Sequence, residues 1–360
     1  MIKISIAMAT YNGSRFLREQ LDSLENQNIR PFELIVVDDG STDNTVEILN
    51  EFRRKSGFTC KIYPNKDRLG CSLNFIKAIS LCSGQWIALC DQDDYWFPEK
   101  LAKLTEYIRI YANSRIAMIC HRSNIGDDNL RLTDFVYPYK NLKKPELIED
   151  VPFYPWWTAP GFVSAINNEL MQGSMILERQ KNEQANKNLQ MRPYKHDRWL
   201  SFVAAAFGQV LLVPDVLAIY RRHRNAVTTS FVAMSAGRHR DTATMCRQLV
   251  ASRSVSKEYA NDAREFKALV RMLSQAHTQT QTAYGDEKYR STSNINRLNR
   301  LSRYFEIRSM FYENPGNAFH RLWKLIFLLF PYYCVFARLD RDRLSRVSKE
   351  LIKDIAMALS

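Results

Sequence analysis

The first 120 residues alternate strand-like and helix-like patterns of apolar residues, and this alternation restricts the fold more than any other feature of the sequence. Apolar residues occupy every second position over residues 2–8, as in a strand, and then recur at helical spacing over residues 16–24. The same order continues through residues 33–37, 46–52, 60–63, 73–81 and 85–90. Such a series predicts an α/β fold with a mainly parallel sheet and right-handed helical crossovers.

The later part of the chain predicts a second domain. A helix is expected over residues 197–207, and two short strands, 210–213 and 218–220, are expected to close the sheet. Beyond residue 235 the apolar residues recur at helical spacing. We therefore predict an α/β domain over residues 1–235, followed by a basic, all-helical domain over residues 236–360.

Three polar segments each follow a predicted strand. They comprise residues 10–13, 38–41 and 91–94. The carboxyl ends of parallel strands meet at one edge of a sheet, and ligands of open α/β sheets bind in the crevice outside that edge. The sequence therefore predicts that these three segments converge on a single cleft.

The segment Asp91-Gln-Asp-Asp94 contains two carboxylates that are two residues apart. In an extended segment Asp91 and Asp93 point the same way. Two convergent carboxylates suit Mg²⁺ or Mn²⁺, which takes its remaining ligands from water and phosphate oxygens. The alternative interpretation is that the segment caps the helix that begins near Pro98.

The segments after the first and second strands suit a nucleoside. The carboxylates of Asp38 and Asp39 can accept hydrogen bonds from a uracil or thymine ring N–H or from ribose hydroxyls. Thr10 and Tyr11 offer a polar strand end and a ring for base stacking, and Gly13 permits a close backbone approach. The alternative is again that the aspartates cap the following helix.

Taken together, Ala9-Thr-Tyr-Asn-Gly13, Val36-Val-Asp-Asp-Gly-Ser-Thr-Asp43 and Asp91-Gln-Asp-Asp94 resemble the inverting family-two glycosyltransferases. The resemblance covers roughly residues 1–230 and implies the nucleotide-sugar-binding, Rossmann-like GT-A fold. Residues 1–235 would then be the catalytic domain of a metal-dependent hexosyltransferase.

The same resemblance implies roles for individual residues. Asp39 would contact the nucleobase, and Asp91 and Asp93 would hold the metal and the donor diphosphate. The segment Leu69-Gly-Cys-Ser-Leu-Asn-Phe75 is similar to a donor-side segment of the family, which adds Asn74 to the donor-binding residues.

Two later segments are similar to bacterial rhamnosyltransferases. Lys195-His-Asp-Arg-Trp-Leu200 and Ile219-Tyr-Arg-Arg-His223 correspond to their H-D-W-W-L and Y-R-x-H pair, although Arg198 stands where that subgroup often has its first tryptophan. The resemblance implies transfer of L-rhamnose from dTDP-rhamnose to a hydroxyl of a bacterial cell-surface glycan, such as O-antigen or capsule. Another UDP- or dTDP-sugar remains open as the donor.

Inverting transfer needs a base that removes the proton of the acceptor hydroxyl. Asp197, at the start of a helix that enters the cleft, is the candidate, and His196 is the rival. Adjacent side chains at a helix start diverge, so we expect only one of the two to face the acceptor. The alternative interpretation of Asp197 is a helix N-cap.

A cluster of cationic side chains follows the last predicted strand. Arg221 and His223, with Arg222 between them, suit the donor diphosphate or an acidic acceptor, because arginine offers bidentate donors to phosphate. A solvated basic turn is the alternative.

The net charge of +13 raises nucleic acid as a partner. No recognition-helix, zinc-finger or RNP signature is present, and the basic excess lies mostly outside the α/β region, so no nucleic-acid partner is expected. A sugar-phosphate nucleotidyltransferase would share the acidic metal pair, but it requires a glycine-rich basic first loop that residues 10–13 lack.

Seven cysteines without a C-x-x-C pair favour neither a disulfide framework nor a zinc site. The first residues lack the pattern of a signal peptide, so we expect a cytoplasmic protein. Residues 322–346 mix aromatic with basic side chains, as at the headgroup boundary of an anionic membrane. Peripheral contact with the inner face of the cell membrane, close to a lipid-linked acceptor, is therefore one expectation, and helical-core packing or a homo-oligomer interface is the other.

Overall fold

The alternating pattern of the sequence forms one ten-stranded sheet in the computed structural model of the protein. The structure describes residues 2–138, 142–148, 160–169 and 208–223, together with isolated helical positions at 196–204 and 299–310. The chain divides into two units, one of residues 1–151 and 158–229 and one of residues 152–157 and 230–360. All of the sheet belongs to the first unit.

The elements of the first unit follow one another in the predicted strand–helix order at the beginning of the chain. The helices are α1 (Ser14–Glu25), α2 (Thr45–Lys55), α3 (Cys71–Leu81) and α4 (Lys100–Ile110), with a 3-10 turn at Gly161–Val163. The strands are β1 (Ile4–Thr10), β2 (Glu33–Asp38), β3 (Thr59–Pro64), β4 (Trp86–Cys90), β5 (Tyr95–Trp96), β6 (Ile116–Gly126), β7 (Leu132–Tyr137), β8 (Glu146–Ile148), β9 (Ser164–Asn167) and β10 (Gln209–Arg221).

One half of the sheet is parallel, as the sequence predicts. Its strand order is β3-β2-β1-β4, and Thr10 of β1 lies opposite Asp38 of β2. This register brings the carboxyl ends of β1 and β2 to the same level. The polar residues that follow these strands therefore meet at one edge.

The other half differs from the prediction of a mainly parallel sheet, because the observed sheet is mixed. Strand β9 is antiparallel to both of its neighbours, β4 and β6, and β5, β7 and β8 also pair antiparallel. Strand β9 has four residues and directly follows the 3-10 turn, and antiparallel pairing, unlike parallel pairing, does not require a crossover helix. A strand this short is not marked by its own periodicity.

The two short strands predicted at 210–213 and 218–220 are one strand, β10. Its pairing with β6 shifts register between Leu212 and Val216 and again before Ala218. Pro214 has no N–H to donate to the neighbouring strand, and it lies within the register shift between Leu212 and Val216. The strand continues on the far side to Arg221 and delivers residues 221–223 to the edge of the sheet.

The core of the first unit lies between the sheet and the helices that cover it. Helix α1 buries Leu17, Leu21 and Leu24, which belong to one core cluster with Ile6, Met8 and other sheet residues. Each fully buried leucine contributes about 1.5–3 kcal/mol of hydrophobic stabilisation. The turns at the strand ends thus follow strands that are packed in this core.

The predicted all-helical domain at 236–360 falls almost entirely outside the described residues. The described positions there are helical: Asn299, Arg303, Glu306, Ile307 and Met310. Residues 322–346, on which the membrane and oligomer expectations depend, also lie outside. Within the described part of the chain, no helix combines the length and apolar character needed to cross a membrane.

Candidate functional site

The end of β2 is tied to the end of β1 by hydrogen bonds of Asp38 and Asp39. The Thr10 hydroxyl donates to Asp38 Oδ1 at 2.8 Å, and the N–H and hydroxyl of Ser41 donate to the same carboxylate at 2.8 and 2.5 Å. The Asp39 N–H donates to the Thr10 carbonyl at 2.9 Å. Asp38 and Thr10 therefore act here as turn-forming residues, and Asp38 does not cap α2, whose N-cap is Asn44.

The Asp39 carboxylate is buried and organises the turn that precedes α3. Its Oδ1 accepts from Leu69 N at 2.7 Å and from Asn65 Nδ2 at 2.9 Å, and its Oδ2 accepts from Gly70 N at 2.8 Å. Gly70 has φ +81°, a conformation that residues with a Cβ rarely adopt. A carboxylate accepts about four hydrogen bonds, so Asp39 retains capacity for one donor from a ligand.

Asn74 lies beneath that turn and is also buried. Its Nδ2 donates to the Val37 carbonyl at 2.8 Å, and its Oδ1 accepts from Asn65 Nδ2 at 2.9 Å. Asn74 thus joins α3 to the end of β2. Its contacts support the donor-side turn from within, and its predicted direct contact with the donor stays a prediction.

Tyr11 and Gly13 are locked to the acidic turn by the side chain of Gln92. Gln92 Oε1 accepts from Tyr11 N at 2.9 Å, and its Nε2 donates to the Tyr11 carbonyl at 3.1 Å. A Cβ at Gly13 would lie 2.2 Å from Gln92 Oε1, so the close approach needs a glycine. The Arg68 guanidinium lies over the Tyr11 ring, with its central carbon 3.7 Å from the ring centroid. Tyr11 is the residue that we expect to stack on a base.

The acidic turn itself concentrates negative charge. Burial raises the pKa of the Asp91 carboxyl, and the carboxylates of Asp93 and Asp197 raise it further. These carboxylates therefore lie close enough to destabilise one another, and a divalent cation would relieve the repulsion. Asp91 and Asp93 fit Mg²⁺ or Mn²⁺ on this ground.

Among the residues that the structure describes, no three His, Cys, Asp or Glu side chains are grouped closely enough to hold a metal ion. The predicted binding of Mg²⁺ or Mn²⁺ by Asp91 and Asp93 stays a prediction.

His223 lies next to the acidic turn. Its Nε2 is 2.8 Å from Asp93 Oδ2, and its ring packs on Phe16 with centroids 4.7 Å apart. His223 thus reaches the predicted site. Arg221 differs, because its side chain is only 1% exposed and all three guanidinium nitrogens donate to protein oxygens.

His196 and Asp197 come to the site from a helical segment outside the sheet. The His196 ring stacks on Phe75 with centroids 4.1 Å apart, and the main-chain N–H of His196 donates to Ser72 Oγ at 3.3 Å. A Cβ at Gly161 would lie 2.8 Å from His196 Nε2, so the imidazole fits against a bare backbone. Asp197 lies near Asp91, since its charge raises the pKa of that carboxyl.

Several residues that build the site were not singled out in the sequence. Gln92 lies inside the D-Q-D-D segment, so the sequence placed it near the site. Its two hydrogen bonds to Tyr11 depend on the fold. Lys100 is fully buried behind the acidic turn and donates to the Phe162 carbonyl at 2.9 Å. Gly161 lies in a stretch without periodicity. No local pattern distinguishes it from other glycines.

Comparisons with known proteins agree with this architecture. The model of the family described as "Glycosyl transferase family 2" matches residues 5–171. The dTDP-rhamnosyl transferase RfbG of Shigella flexneri is 28% identical over 224 residues, which cover 61% of this chain and 72% of that protein.

Two further relatives match a similar share of the chain. An uncharacterized glycosyltransferase of Nostoc is 25% identical over 62% of this chain and 65% of its own length. An uncharacterized protein of Mycobacterium bovis is 25% identical over 62% of this chain and 60% of its own length. The aligned region thus spans less than two thirds of these two relatives.

A solved structure is similar in fold. The crystal structure of S. aureus TarS 1-349 in complex with UDP-GlcNAc has a TM-score of 0.51 and 15% identity, and the match covers 99% of this chain and 91% of that one. The family model thus matches residues 5–171 of the chain, and the similar proteins include glycosyltransferases. The resemblance seen in the sequence is confirmed, and the first unit has a GT-A-like α/β fold with a mixed sheet.

Proposed function

We propose that the protein is a metal-dependent, inverting glycosyltransferase that takes a sugar from a dTDP or UDP donor, with dTDP-L-rhamnose as the leading candidate. The observation that carries the proposal is the meeting of Asp39, Asp91, Asp93 and Asp197 around one sheet edge. The likeness to a dTDP-rhamnosyl transferase supports the choice of rhamnose.

The donor half of the site would bind the nucleotide in two places. Asp39 accepts a hydrogen bond from the base in addition to those from the protein. Tyr11 stacks on the base, either after Arg68 moves off the Tyr11 ring or with the base held between the two side chains. Asp91 and Asp93 would hold Mg²⁺ or Mn²⁺, which when bound neutralises charge on the departing diphosphate. His223, against Asp93, orients that carboxylate.

The acceptor half would depend on Asp197. Its carboxylate removes the proton from the acceptor hydroxyl as that oxygen attacks the anomeric carbon from the face opposite the diphosphate. His196 is held between Phe75 and Gly161, so it suits an orienting role next to Asp197. Separate substitution of Asp197 and of His196 distinguishes which of the two removes the proton.

The acceptor that we propose is a hydroxyl of a cell-surface glycan carried on lipid, and the proposed location is the cytoplasmic face of the cell membrane. The sequence similarity to rhamnosyltransferases and the aromatic and basic residues at 322–346 support this assignment. It is independent of the donor proposal and is tested separately.

Slow hydrolysis of nucleotide sugars tests the donor proposal without an acceptor. Purified protein is incubated with Mn²⁺ and dTDP-rhamnose, dTDP-glucose, UDP-glucose or UDP-GlcNAc, and released nucleoside diphosphate is measured. We expect release from one donor, abolished by EDTA and lowered at least about 10²-fold in Asp91→Asn and Asp93→Asn. The matched control is Asp22→Asn, which removes an exposed carboxylate of α1.

Two results would overturn parts of this proposal. Failure to bind or hydrolyse any nucleotide sugar would refute the donor assignment. Full activity of the wild-type protein in EDTA would refute the metal while leaving the glycosyltransferase assignment intact.

A further inference from the structure

Arg221 is a buried cation at the end of β10, immediately beside the acidic turn. Its side chain is 1% exposed, which is rare for arginine unless every donor is satisfied. The sequence suggests that it binds the donor diphosphate, because it belongs to a basic cluster. Its contacts point to another role.

The guanidinium donates in three directions, each toward the protein. Nε donates to the Asp93 carbonyl at 2.8 Å, Nη1 donates to the Asp128 carbonyl, and Nη2 pairs with Glu19 Oε2 at 2.5 Å. The flat face of the group packs on the Phe16 ring, with the central carbon 4.5 Å from the ring centroid. The arginine therefore joins α1, the acidic turn and the loop after β6.

The main chain of Arg221 adds a fourth contact with the same turn. Its N–H donates to Asp94 Oδ1 at 3.0 Å, and the Asp94 side chain is completely buried. One residue thus holds the backbone of Asp93 and the side chain of Asp94. Two residues later, His223 Nε2 lies 2.8 Å from Asp93 Oδ2. The His223 ring packs on Phe16, the same ring on which the Arg221 guanidinium packs.

A phosphate ligand in this position would have to displace these internal partners. Taking the guanidinium away from the Asp93 and Asp128 carbonyl oxygens would leave these two acceptors without their donor, which is unfavourable. An arginine that binds diphosphate directly would instead keep part of its fork facing the ligand. The inward contacts favour a structural task in the site.

We infer that Arg221 is a positioning residue that fixes the Asp93–Asp94 turn, and that it is not a ligand of the donor diphosphate. By holding the Asp93 carbonyl, it sets the direction in which the Asp93 carboxylate leaves the backbone. The inference rests on the proposed function, because the carboxylate that it positions is a proposed metal ligand. Its consequence is a defect in metal binding without a defect in nucleotide binding.

The substitution Arg221→Lys separates these two effects. Lysine keeps the charge but has a single ammonium group, which cannot reach three oxygens in the geometry of the fork. We expect Mn²⁺ binding to weaken about 10- to 100-fold, as for other residues that orient metal ligands. Direct titration of free Mn²⁺ by electron paramagnetic resonance measures this without any turnover.

The same variant is titrated in EDTA with dTDP or UDP, whichever the wild-type protein binds more tightly, and with the corresponding nucleoside. A positioning role predicts that both affinities match the wild type. Arg18→Lys is the matched control, since Arg18 forms an exposed ion pair with Glu51 at 2.8 Å. It should leave every affinity unchanged.

A second variant covers the outcome in which Arg221→Lys does not fold. Glu19 is 56% exposed, so Glu19→Gln removes the charged partner of the guanidinium without opening a cavity. We expect Mn²⁺ binding to weaken about two- to fivefold, the range of an ion pair near the surface. Glu51→Gln is its control and should have no effect.

The outcomes separate this inference from the proposed function. If Arg221→Lys binds Mn²⁺ normally but loses affinity for the nucleoside diphosphate and not for the nucleoside, Arg221 is a phosphate ligand and the inference is wrong. Normal Mn²⁺ binding by a folded Arg221→Lys, or by Glu19→Gln where the first variant is unfolded, also overturns it. Nucleotide binding without Mn²⁺ binding in the wild type rejects the metal site and this inference together, whereas absence of nucleotide binding rejects the donor assignment.

Discussion

Replacement of Lys100 by methionine should change how the stability of the protein depends on pH. Lys100 is fully buried, its Nζ donates to the Phe162 carbonyl at 2.9 Å, and it lies 3.5 Å from the centroid of the Trp96 ring. Methionine has a similar length and volume but no charge. The substitution therefore removes the titrating group with little change in packing.

Burial lowers the pKa of Lys100 from 10.5 to about 7, and the nearby Cys90, Asp94 and Asp91 offset only part of that effect. The charge of Lys100 in turn affects His121 on β6, because burial and the Lys100 charge together hold the pKa of His121 well below its usual value. A lowered lysine pKa means that the unfolded chain binds a proton more tightly than the folded one. Between pH 7 and 10.5 the unfolded state thus carries more protons, so the free energy of unfolding rises with pH.

The magnitude follows from the size of the pKa shift. At about 1.36 kcal/mol for each pKa unit, lowering the Lys100 pKa from 10.5 to about 7 corresponds to at most roughly 5 kcal/mol of folding free energy, present above pH 10.5 and absent below pH 7. Over a window from about pH 7.5 to 9.5, the wild type should gain about 2–3 kcal/mol relative to Lys100→Met. The lost hydrogen bond to Phe162 shifts the whole curve but leaves its slope unchanged.

Urea unfolding in EDTA, followed by tryptophan fluorescence, measures this difference at several pH values. Trp86 and Trp96 are buried in the first unit and report its unfolding. Lys103→Met, on the same helix, is the matched control, because the ion pair with Glu106 raises the pKa of Lys103 and moves its titration above the window. Parallel curves for wild type and Lys100→Met would refute the reasoning, since Lys100 would then keep its proton equally well in both states.

Three further predictions concern catalysis and location. Gly161→Ala places a Cβ 2.8 Å from His196 Nε2, so the stacked imidazole must move, and kcat should fall about 10- to 100-fold while the donor KM is unchanged. Asp197→Asn should lower kcat for transfer about 10²- to 10⁴-fold and spare donor binding; near-normal turnover with an inactive His196→Ala would assign the base to the histidine. The intact chain should co-sediment with anionic but not neutral liposomes, more strongly at low salt, and removal of residues 315–360 should abolish this without loss of donor hydrolysis. Equal recovery in the supernatant with both lipids would reject the membrane contact.

The sequence by itself determined the parallel half of the sheet and the edge on which the candidate site is predicted. The alternating patterns from β1 to β4 arise from residues that are neighbours in the chain, and they predict the strands, the helices and the shared edge. Asp39 and Asp91 were found because each directly follows a buried strand. Local periodicity is sufficient for such features, since the strand fixes where its last residue points.

Only the tertiary structure decided the mixed half of the sheet. Strand β9 pairs with β4 and β6, from which it is separated by about 40 to 80 residues in sequence. Its four residues carry too short a pattern to show direction or partner. The sequence predicted two strands, 210–213 and 218–220, in place of β10, because the apolar pattern shows the interruption between them but not the pairing with β6 on both sides of it.

The tertiary structure also decided which charged residues face inward. Arg221 and His223 belong to one basic cluster in the sequence, yet Arg221 is enclosed by α1, the acidic turn and the loop after β6, whereas His223 meets the Asp93 carboxylate. Lys100 is charged by type and completely buried by position. Such assignments depend on partners more than 60 residues away, because burial of a charge is possible only where distant segments supply its hydrogen bonds.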